Sequence, residues 1–331
     1  MTLSWIENHK NLTGLSGAIL TLGLAFFLSG CASTPDTSAP ERTVVERSAD
    51  WHGALLYIAD AQGPDPDWGS VRIYDNVSGF VEKTVEQTQA AAPSDEYVTP
   101  GGSSMYVTSS VNGKIEKFRW DGNNWIHGPV IETPAQHLFA IVRGPDQNLY
   151  AAADGSPGAT GLFYRLDPST DRLAASPVTF PALTVAGGMS WSPDGATAYV
   201  SGARASGEAA LLIAAWPSAS VKAEVVLPGV TQANEVVTSP DGRSVYVMCR
   251  GRIFKVDPAS SAVAATLAPA ADPEAIYYDA DFSADGRYMF TTATLPGGAD
   301  STLYVIDLTD GSVVRTVKHI GIKAMGIQRT E

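Results

Sequence analysis

The sequence predicts an all-β fold, a β-propeller of six four-stranded blades, and three observations support this. Short alternating runs rich in Val, Tyr, Thr and Ile recur beyond residue 50, where helix-period runs are scarce. The chain contains 31 glycines and 21 prolines, which indicates many turns. A strand–turn–strand unit also returns at a regular spacing, as it does in propellers.

The repeat unit is a strand, a turn resembling Pro-Asp-Gly, and a second strand. In such a turn Asp accepts backbone hydrogen bonds and Gly adopts the positive φ that a tight hairpin requires. A third and a fourth strand follow in each copy, and the spacing from Asp75 to Asp307 gives about 46 residues per repeat. The five clearest copies are YVTPGGSSMYVTS from Tyr97, IVRGPDQNLYAAA from Ile141, MSWSPDGATAYVS from Met189, VVTSPDGRSVYVM from Val236 and ADFSADGRYMFTT from Ala280.

The two ends of the repeat array complement each other. The first copy begins with its second strand near Ala54, and the chain ends with GIKAMGIQRTE, which matches a first strand without a hairpin partner. We therefore expect residues 322–329 to form the innermost strand of blade one, which closes the ring and removes an exposed sheet edge. A seventh, degenerate blade is the alternative, but no residues remain for it.

The N-terminal segment carries a targeting signal. Residues 15–28, LSGAILTLGLAFFL, are uncharged, match the length of a signal-peptide core and are too few to span a bilayer comfortably. Leu28-Ser29-Gly30-Cys31 follows and resembles the lipobox of bacterial lipoproteins. This resemblance implies cleavage before Cys31 and attachment of acyl chains such as palmitate to that residue, whose thiol is the nucleophile for thioether formation. Several such chains would anchor the protein stably in a membrane.

Three regions follow from this signal. Residues 1–30 are predicted to be the signal peptide, 31–50 the lipidated cysteine with a flexible tether rich in Ser, Thr, Pro and charge, and 51–331 the propeller domain. Ala32 and Ser33 follow the cysteine, with no Asp at the second position. In a Gram-negative cell the lipoprotein resemblance then implies the outer membrane.

The repeats also resemble the YVTN family of β-propellers, most closely in SPDGRSVYV at residues 239–247. The resemblance covers roughly residues 51–331 and implies the fold. That family includes lactonases, amine-dehydrogenase subunits and surface-layer proteins, so it leaves the function open. We expect a non-catalytic binding or scaffold module. The alternatives are a lactonase-like hydrolase and an accessory subunit of a periplasmic redox enzyme.

One face of the propeller is expected to carry the function. The connections after second and fourth strands are long and irregular, at 61–70, 86–97, 154–161, 203–210 and 294–301, whereas the other turns are short. Irregular loops on a rigid frame are where binding usually resides. The candidate residues for this long-loop face are Asp65, Asp67, Trp68, Asp95, Glu96 and Asn234.

Three carboxylates occur at equivalent positions before the turns, where first strands begin at the channel mouth. Asp95, Glu235 and Asp279 are therefore the candidate metal ligands, and Ca²⁺ is the ion that their oxygens would suit. The alternative is that they are solvated loop acids, and no other cofactor is predicted. In the hydrolase alternative His137 joins Glu235 and Asp279 as a catalytic group. HExxH, CxxCH and, in the mature chain, GxSxG are absent from the sequence.

The charge of the chain restricts its partners. The net charge is −13, which repels nucleic-acid phosphates and argues against a nucleic-acid partner. We expect an envelope protein or a small molecule as the partner, besides the membrane reached through Cys31. Cys249 is the single cysteine of the predicted domain and is expected to be a buried apolar residue.

Overall fold

The computed structural model describes residues 55–61, 69–75, 81–86, 91–154, 160–295 and 300–330. All of these belong to one compact unit, 43–331. The predicted signal peptide, Cys31 and the tether lie outside the described residues. Within the described residues, we find no helix whose length and hydrophobicity would suit a membrane span.

The described strands form six antiparallel sheets, which confirms the six-bladed propeller. Blades one and two contain β1 (Leu55–Asp60), β2 (Ser70–Asp75), β3 (Val81–Glu86), β4 (Pro93–Val98), β5 (Ser104–Ser109), β6 (Lys114–Trp120) and β7 (Trp125–Glu132). Blade three contains β8 (Leu138–Arg143), β9 (Leu149–Ala153), β10 (Gly161–Asp167), β11 (Arg172–Leu173) and β12 (Val178–Phe180). Blades four and five contain β13 (Val185–Trp191), β14 (Thr197–Ala203), β15 (Ala209–Ala215), β16 (Ser220–Val226), β17 (Ala233–Thr238), β18 (Val245–Cys249), β19 (Ile253–Asp257) and β20 (Ala262–Leu267). Blade six contains β21 (Ile276–Phe282), β22 (Tyr288–Thr294), β23 (Ser301–Asp307) and β24 (Ser312–Lys318).

The C-terminal strand β25 (Gln328–Thr330) closes the ring as the sequence predicts. It pairs antiparallel with β1, and Leu56 lies opposite Arg329. The contact with β1 extends to residues that precede β25, since Met325 donates its backbone N–H to the carbonyl of Ala59 at 2.8 Å. Blade one therefore combines three strands from the start of the domain with one from its end.

The Pro-Asp-Gly turns join neighbouring blades as well as neighbouring strands. Gly242 has φ of 68°, and its N–H donates to the carbonyl of Ser239 at 2.8 Å. A Cβ placed on Gly242 would come within 2.7 Å of Pro193, which belongs to the equivalent turn of the preceding blade. The turn glycine is thus required twice, by its backbone conformation and by the proline that packs against it.

The core lies between the blades. The aromatic residues that the repeat places after each turn, Tyr106, Tyr199, Tyr246 and Phe290, are buried. Second and third strands are buried along most of their length, whereas the outer strands β16 and β20 are mostly exposed. Cys249 ends β18 and is fully buried, and burial raises the pKa of its thiol to about 12. It is therefore a packing residue and not a reactive thiol at neutral pH.

Candidate functional site

Each inner strand of blades two to six contains a bulge at the same place. In β4 the pairing with β5 shifts between Pro93 and Asp95, and in β17 the pairing with β18 shifts between Ala233 and Glu235. Equivalent shifts occur in β8, β13 and β21. A bulge leaves a residue outside the ladder of its own sheet and re-aims the neighbouring side chains. The candidate acids lie at these bulges.

The aspartates at the bulges bond to the following blade. Asp95 of blade two accepts the N–H of Ile141 in blade three at 2.6 Å, and also that of Glu96. Asp279 of blade six accepts the N–H of Ile327, in the closing segment of blade one, at 2.9 Å. Each carboxylate satisfies a backbone donor in the neighbouring blade, so it ties two blades together.

The polar residues beside the acids form matching bonds in the same direction. Ser94 donates its hydroxyl to the carbonyl of Leu138 at 2.8 Å. Asn234, a candidate for the binding face, donates its side-chain amide to the carbonyl of Tyr277 at 2.7 Å. Both side chains link one inner strand to the next, so Asn234 is engaged within the protein.

The glutamates reach back to the preceding blade. Glu235 accepts the N–H of Val236 at 2.9 Å. Burial raises the pKa of its carboxyl, and the backbone of Met189 in blade four opposes part of that rise. Gly188 makes room for it, because a Cβ there would lie 1.7 Å from Oε1 of Glu235. In the closing segment, a Cβ on Gly326 would lie 2.6 Å from Asp95 and from Glu96. Glycine in one blade therefore complements an acid in the next.

The four candidate acids are buried and lie within one another's electrostatic field. Burial is the main cause that raises the pKa of Asp95, Glu96, Glu235 and Asp279 well above their ordinary values. Repulsion adds to it: Asp95 interacts with Glu96 and Glu235, and Asp279 interacts with Asp95. The alternative that Asp95, Glu235 and Asp279 are solvated loop acids is wrong, because all three side chains are buried.

Glu96 differs from the other three. It is 2% exposed, and within the described part of the chain neither carboxylate oxygen has a hydrogen-bond partner of normal geometry. The backbone at Ala59 and Gln328 lies near enough to lower its pKa, but Asp279 and Asp281 oppose that effect. A buried carboxyl without a firm partner is costly when ionised, so Glu96 favours its protonated form.

The acids do not form a ready metal centre. Within the part of the chain that the structure describes, no group of three or more His, Cys, Asp or Glu side chains is arranged to hold a metal ion. The candidate ligands Asp95, Glu235 and Asp279 are close enough to repel one another, but their oxygens accept backbone N–H groups. Asp95 and Asp279 accept them from adjacent blades, and Glu235 accepts the N–H of Val236 in its own strand.

His137 lies apart from the acids with which it was expected to act. Its Nδ1 donates to the carbonyl of Ser110 at 2.7 Å, and its Nε2 is 3.8 Å from Oδ2 of Asp154. These contacts lie between blades two and three. Neither Glu235 nor Asp279 is among the hydrogen-bond or ion-pair partners of His137 in the described residues, so the predicted catalytic group is not assembled.

Two further buried acids bond to the closing segment, and Asp281 was not singled out from the sequence. Asp281 accepts the N–H of Arg329 at 2.7 Å, and burial raises its pKa to about 6. Asp60, which is fully buried, accepts the N–H of Lys323 at 2.8 Å and pairs with Arg72 at 2.9 Å. The alternation along β21 offers a signal for Asp281, since it lies two residues after Asp279 on the same face.

The remaining binding-face candidates cannot be placed. Asp65, Asp67 and Trp68 lie outside the described residues, in the connection between β1 and β2. Val111, in the connection between β5 and β6, and Leu295, just after β22, belong to the same face. They are large apolar side chains with 52% and 43% of their surface exposed.

Comparisons with known proteins agree on the fold. No protein-family model and no curated protein matches the chain. Hydrazine synthase of Kuenenia stuttgartiensis is a structural neighbour with a TM-score of 0.52 and 17% identity, covering 71% of this chain and 68% of that one.

Two other solved structures are similar. A functionally unknown protein from Desulfotomaculum acetoxidans has a TM-score of 0.56 and 13% identity, covering 85% of this chain and 99% of that one. The β-propeller domain of Myceliophteria thermophila Cps50 (Swd1) has a TM-score of 0.52 and 13% identity, covering 75% and 80%. At these identities the likeness shows the fold alone: the chain is a six-bladed β-propeller.

Proposed function

We propose that this propeller is a non-catalytic binding module of the bacterial envelope, anchored through lipid on Cys31 and contacting a protein partner with its long-loop face. The observation that carries the proposal is the use of the candidate catalytic groups. Asp95 and Asp279 accept backbone amides of adjacent blades, and His137 donates to the carbonyl of Ser110. These side chains stabilise the ring and are not free to act on a substrate.

The long-loop face supports the same proposal. Exposed apolar side chains of the size of Val111 and Leu295 are common singly, but both lie on this face. Leu295 belongs to the irregular connection 294–301, and Val111 to the short connection between β5 and β6. The large acidic excess of the chain favours a partner with a basic or apolar surface over an acidic one.

The hydrolase alternative requires a base close to the channel acids. His137 pairs instead with Asp154, whose own pKa is raised, with burial as the main cause. The accessory-subunit alternative requires a redox partner, and the likeness to hydrazine synthase shows only a shared fold. Neither alternative has an observation of its own in its favour.

Site-specific photo-crosslinking in the native envelope tests the binding proposal. A benzophenone amino acid at Val111 or Leu295 should give one discrete adduct, because both positions lie on the proposed face. The matched control is Val313, which is 39% exposed beside a short turn of the opposite face, and it should give none. Equal labelling from all three positions, or labelling only from Val313, would contradict the assignment of the face.

The same strains test the anchor. Cys31→Ala should move the protein from the membrane fraction to the soluble fraction, because the acyl chains would have no attachment point. Retention of that variant in the membrane fraction would remove the lipoprotein part of the proposal.

A lactone panel assayed with and without EDTA should show no turnover, whereas turnover lost with EDTA would favour the hydrolase.

A further inference from the structure

The tryptophans that the structure describes lie together on the face opposite the long loops. We call it the short-turn face, because the turns after first and third strands form it. Trp120 ends β6, Trp191 ends β13 and Trp216 directly follows β15, so all three stand where a strand enters such a turn. Trp125 begins β7, on the far side of the turn that Trp120 enters. In the described part of the chain, no tryptophan lies at the other ends of the strands.

One aromatic group lies between blades three and four. The rings of Tyr150, Trp191 and Trp216 contact one another, with centroids 5.5, 5.2 and 5.6 Å apart. The two tryptophans pack against the core but are only partly buried. The group therefore presents aromatic surface to the outside. Indole rings with one apolar side and one wet side are typical of interfaces with proteins and membranes.

A second aromatic group lies beside the first strand of the domain. Trp120 is 39% exposed, and its ring centroid lies 5.4 Å from that of Trp125. Trp125 in turn contacts Tyr57 of β1, with centroids 6.1 Å apart. As the second strand of blade one, β1 begins on the short-turn face, where Leu55 lies opposite Thr330. An exposed tryptophan is thus close to the point at which the chain enters the propeller.

Exposed aliphatic side chains occupy equivalent places on the same face. Ile126, Val221 and Val313 are each the second residue of a fourth strand, in β7, β16 and β24. Their exposed fractions are 49%, 43% and 39%. Such side chains are common singly, but here they recur on three blades together with Trp120. The short-turn face therefore presents apolar surface at several points around the ring.

The predicted anchor indicates what covers this face, and in this respect the inference rests on the proposed function. Residues 32–54 separate Cys31 from the start of β1. A flexible chain of this length has an r.m.s. end-to-end distance of about 25–30 Å. Because the chain enters the propeller on the short-turn face, lipid on Cys31 would hold that face near the membrane. At such a high effective concentration, a few weak apolar contacts suffice for docking.

The charge of the short-turn face indicates the kind of lipid. The turns carry exposed aspartates, namely Asp121, Asp194, Asp241, Asp285 and Asp310. Their negative charge repels an anionic surface. A zwitterionic phospholipid surface has no net charge, and tryptophan prefers the level of its headgroups. Zwitterionic lipid is therefore the occupant that suits apolar side chains set among carboxylates.

We propose that the short-turn face docks on a zwitterionic phospholipid surface through Trp120, Trp216 and the exposed aliphatic residues of the fourth strands. The apolar side chains are already exposed, so docking requires no rearrangement of the ring. In this orientation the long-loop face is directed away from the membrane, toward the protein partner of the proposed function.

Photo-crosslinking from the two ends of one strand tests the orientation. Val221 and Val226 of β16 are 43% and 41% exposed, and they lie about 17 Å apart along the strand. In the native envelope, a benzophenone amino acid at Val221 should give phospholipid adducts, identified by their mass. Val226 is the matched control and should give about tenfold fewer, because that distance places it beyond the headgroups.

The other outcomes of this experiment contradict the proposal. Equal lipid labelling at Val221 and Val226, or labelling at Val226 alone, would overturn docking through the short-turn face. A discrete protein adduct at Val221 in place of lipid would show that a protein covers this face, and would overturn lipid as the occupant.

Fractionation of the same strains separates this inference from the proposed function. A wild-type protein in the soluble fraction would contradict the anchor, and docking would fall with it. A membrane-bound wild type without lipid adducts at Val221 would contradict docking alone. The protein adduct expected at Val111 and Leu295 differs in mass from a lipid adduct, so the long-loop face is judged independently.

Quenching by brominated lipid tests the aromatic contact. The purified lipidated protein is reconstituted into phosphatidylcholine vesicles whose brominated acyl chains quench nearby tryptophans. Trp120→Phe should lower the quenched fraction of the emission, whereas Trp125→Phe should not, because Trp125 is only 8% exposed. Addition of phosphatidylglycerol should reduce quenching of the wild type through repulsion by the turn aspartates. Equal effects of the two variants would overturn the contact, and stronger quenching with phosphatidylglycerol would overturn the preference for zwitterionic lipid.

Discussion

The turn aspartates and the channel carboxylates of this propeller lie in opposite electrostatic surroundings. Asp241, in an outer hairpin turn, accepts the hydroxyl of Ser239 at 2.7 Å and the N–H of Arg243 at 3.0 Å, and these bonds lower its pKa. Asp194 and Asp285 behave in the same way. Asp279 also accepts backbone amides, yet burial and its acidic neighbours raise its pKa. Each of the two acids thus accepts two hydrogen bonds, yet their pKa values shift in opposite directions.

Access to water decides which influence on the pKa is the larger at each site. In the turns water remains nearby, so hydrogen bonds to the ionised form decide the direction. Between the inner strands, the loss of water outweighs two backbone hydrogen bonds. Hydrogen bonds therefore favour the ionised form of the turn acids, whereas burial raises the pKa of the channel acids. A third kind, represented by Asp60, is buried but neutralised by Arg72.

The largest expected effect concerns Asp60, the buried acid that Arg72 neutralises. Arg72→Met should lower the free energy of unfolding by about 3–5 kcal/mol at neutral pH, because it leaves Asp60 buried without its counter-ion. Urea denaturation measures the change. Arg243→Met is the control, since Arg243 is exposed and lies 3.9 Å from Asp241, and it should cost less than about 1 kcal/mol. Similar losses from both variants would remove the distinction between buried and exposed pairs.

The next effect concerns the space that the channel acids occupy. Gly188→Ala should destabilise the protein by about 1–3 kcal/mol, because the added methyl would lie 1.7 Å from Oε1 of Glu235 and displace it. Urea denaturation of a double-mutant cycle with Glu235→Ala supplies the control. In that background Gly188→Ala should cost much less, and an unchanged cost would show that the glycine serves its backbone and not the acid.

The smallest effect concerns the turn acids. Asp241→Ala should cost less than about 1 kcal/mol near neutral pH, because the turn groups that it leaves can bond to water. Its lowered pKa means that its contribution is present above the ordinary value of 3.8 and is lost as the pH falls below it. Thermal melts of wild type and variant should therefore converge in acid. Divergence in acid would place Asp241 with the channel acids.

Much of the fold could be predicted because the repeat is local. Turn residues, strand alternation and the aromatic residue after each turn depend on positions a few residues apart, so they remain legible in one sequence. The closing strand was also predictable, since an unpaired first strand and a missing one are complementary. The structure confirms it at Gln328–Thr330, within the pairing that extends back to Met325.

The candidate site was only partly predictable. Counting back from the turns located Asp95, Glu235 and Asp279 at equivalent positions, and the structure brings them together. Their burial could not be predicted, because it depends on bulges and on glycines such as Gly188 in the adjacent blade. His137 lay at a plausible position, but its partners are the carbonyl of Ser110 and the carboxylate of Asp154.

The sequence by itself determined the architecture: six hairpin repeats, their turns and the exchange of one strand between the two ends. Local steric preferences and apolar alternation carry that information. Only the tertiary structure decided what the acids do. The charge of Asp279 or Glu96 depends on water excluded by strands far away in the chain, and on carboxyls contributed by other blades. Desolvation and repulsion act through space, so a carboxylate that looks like a ligand in sequence is a buried tie between blades in the folded ring.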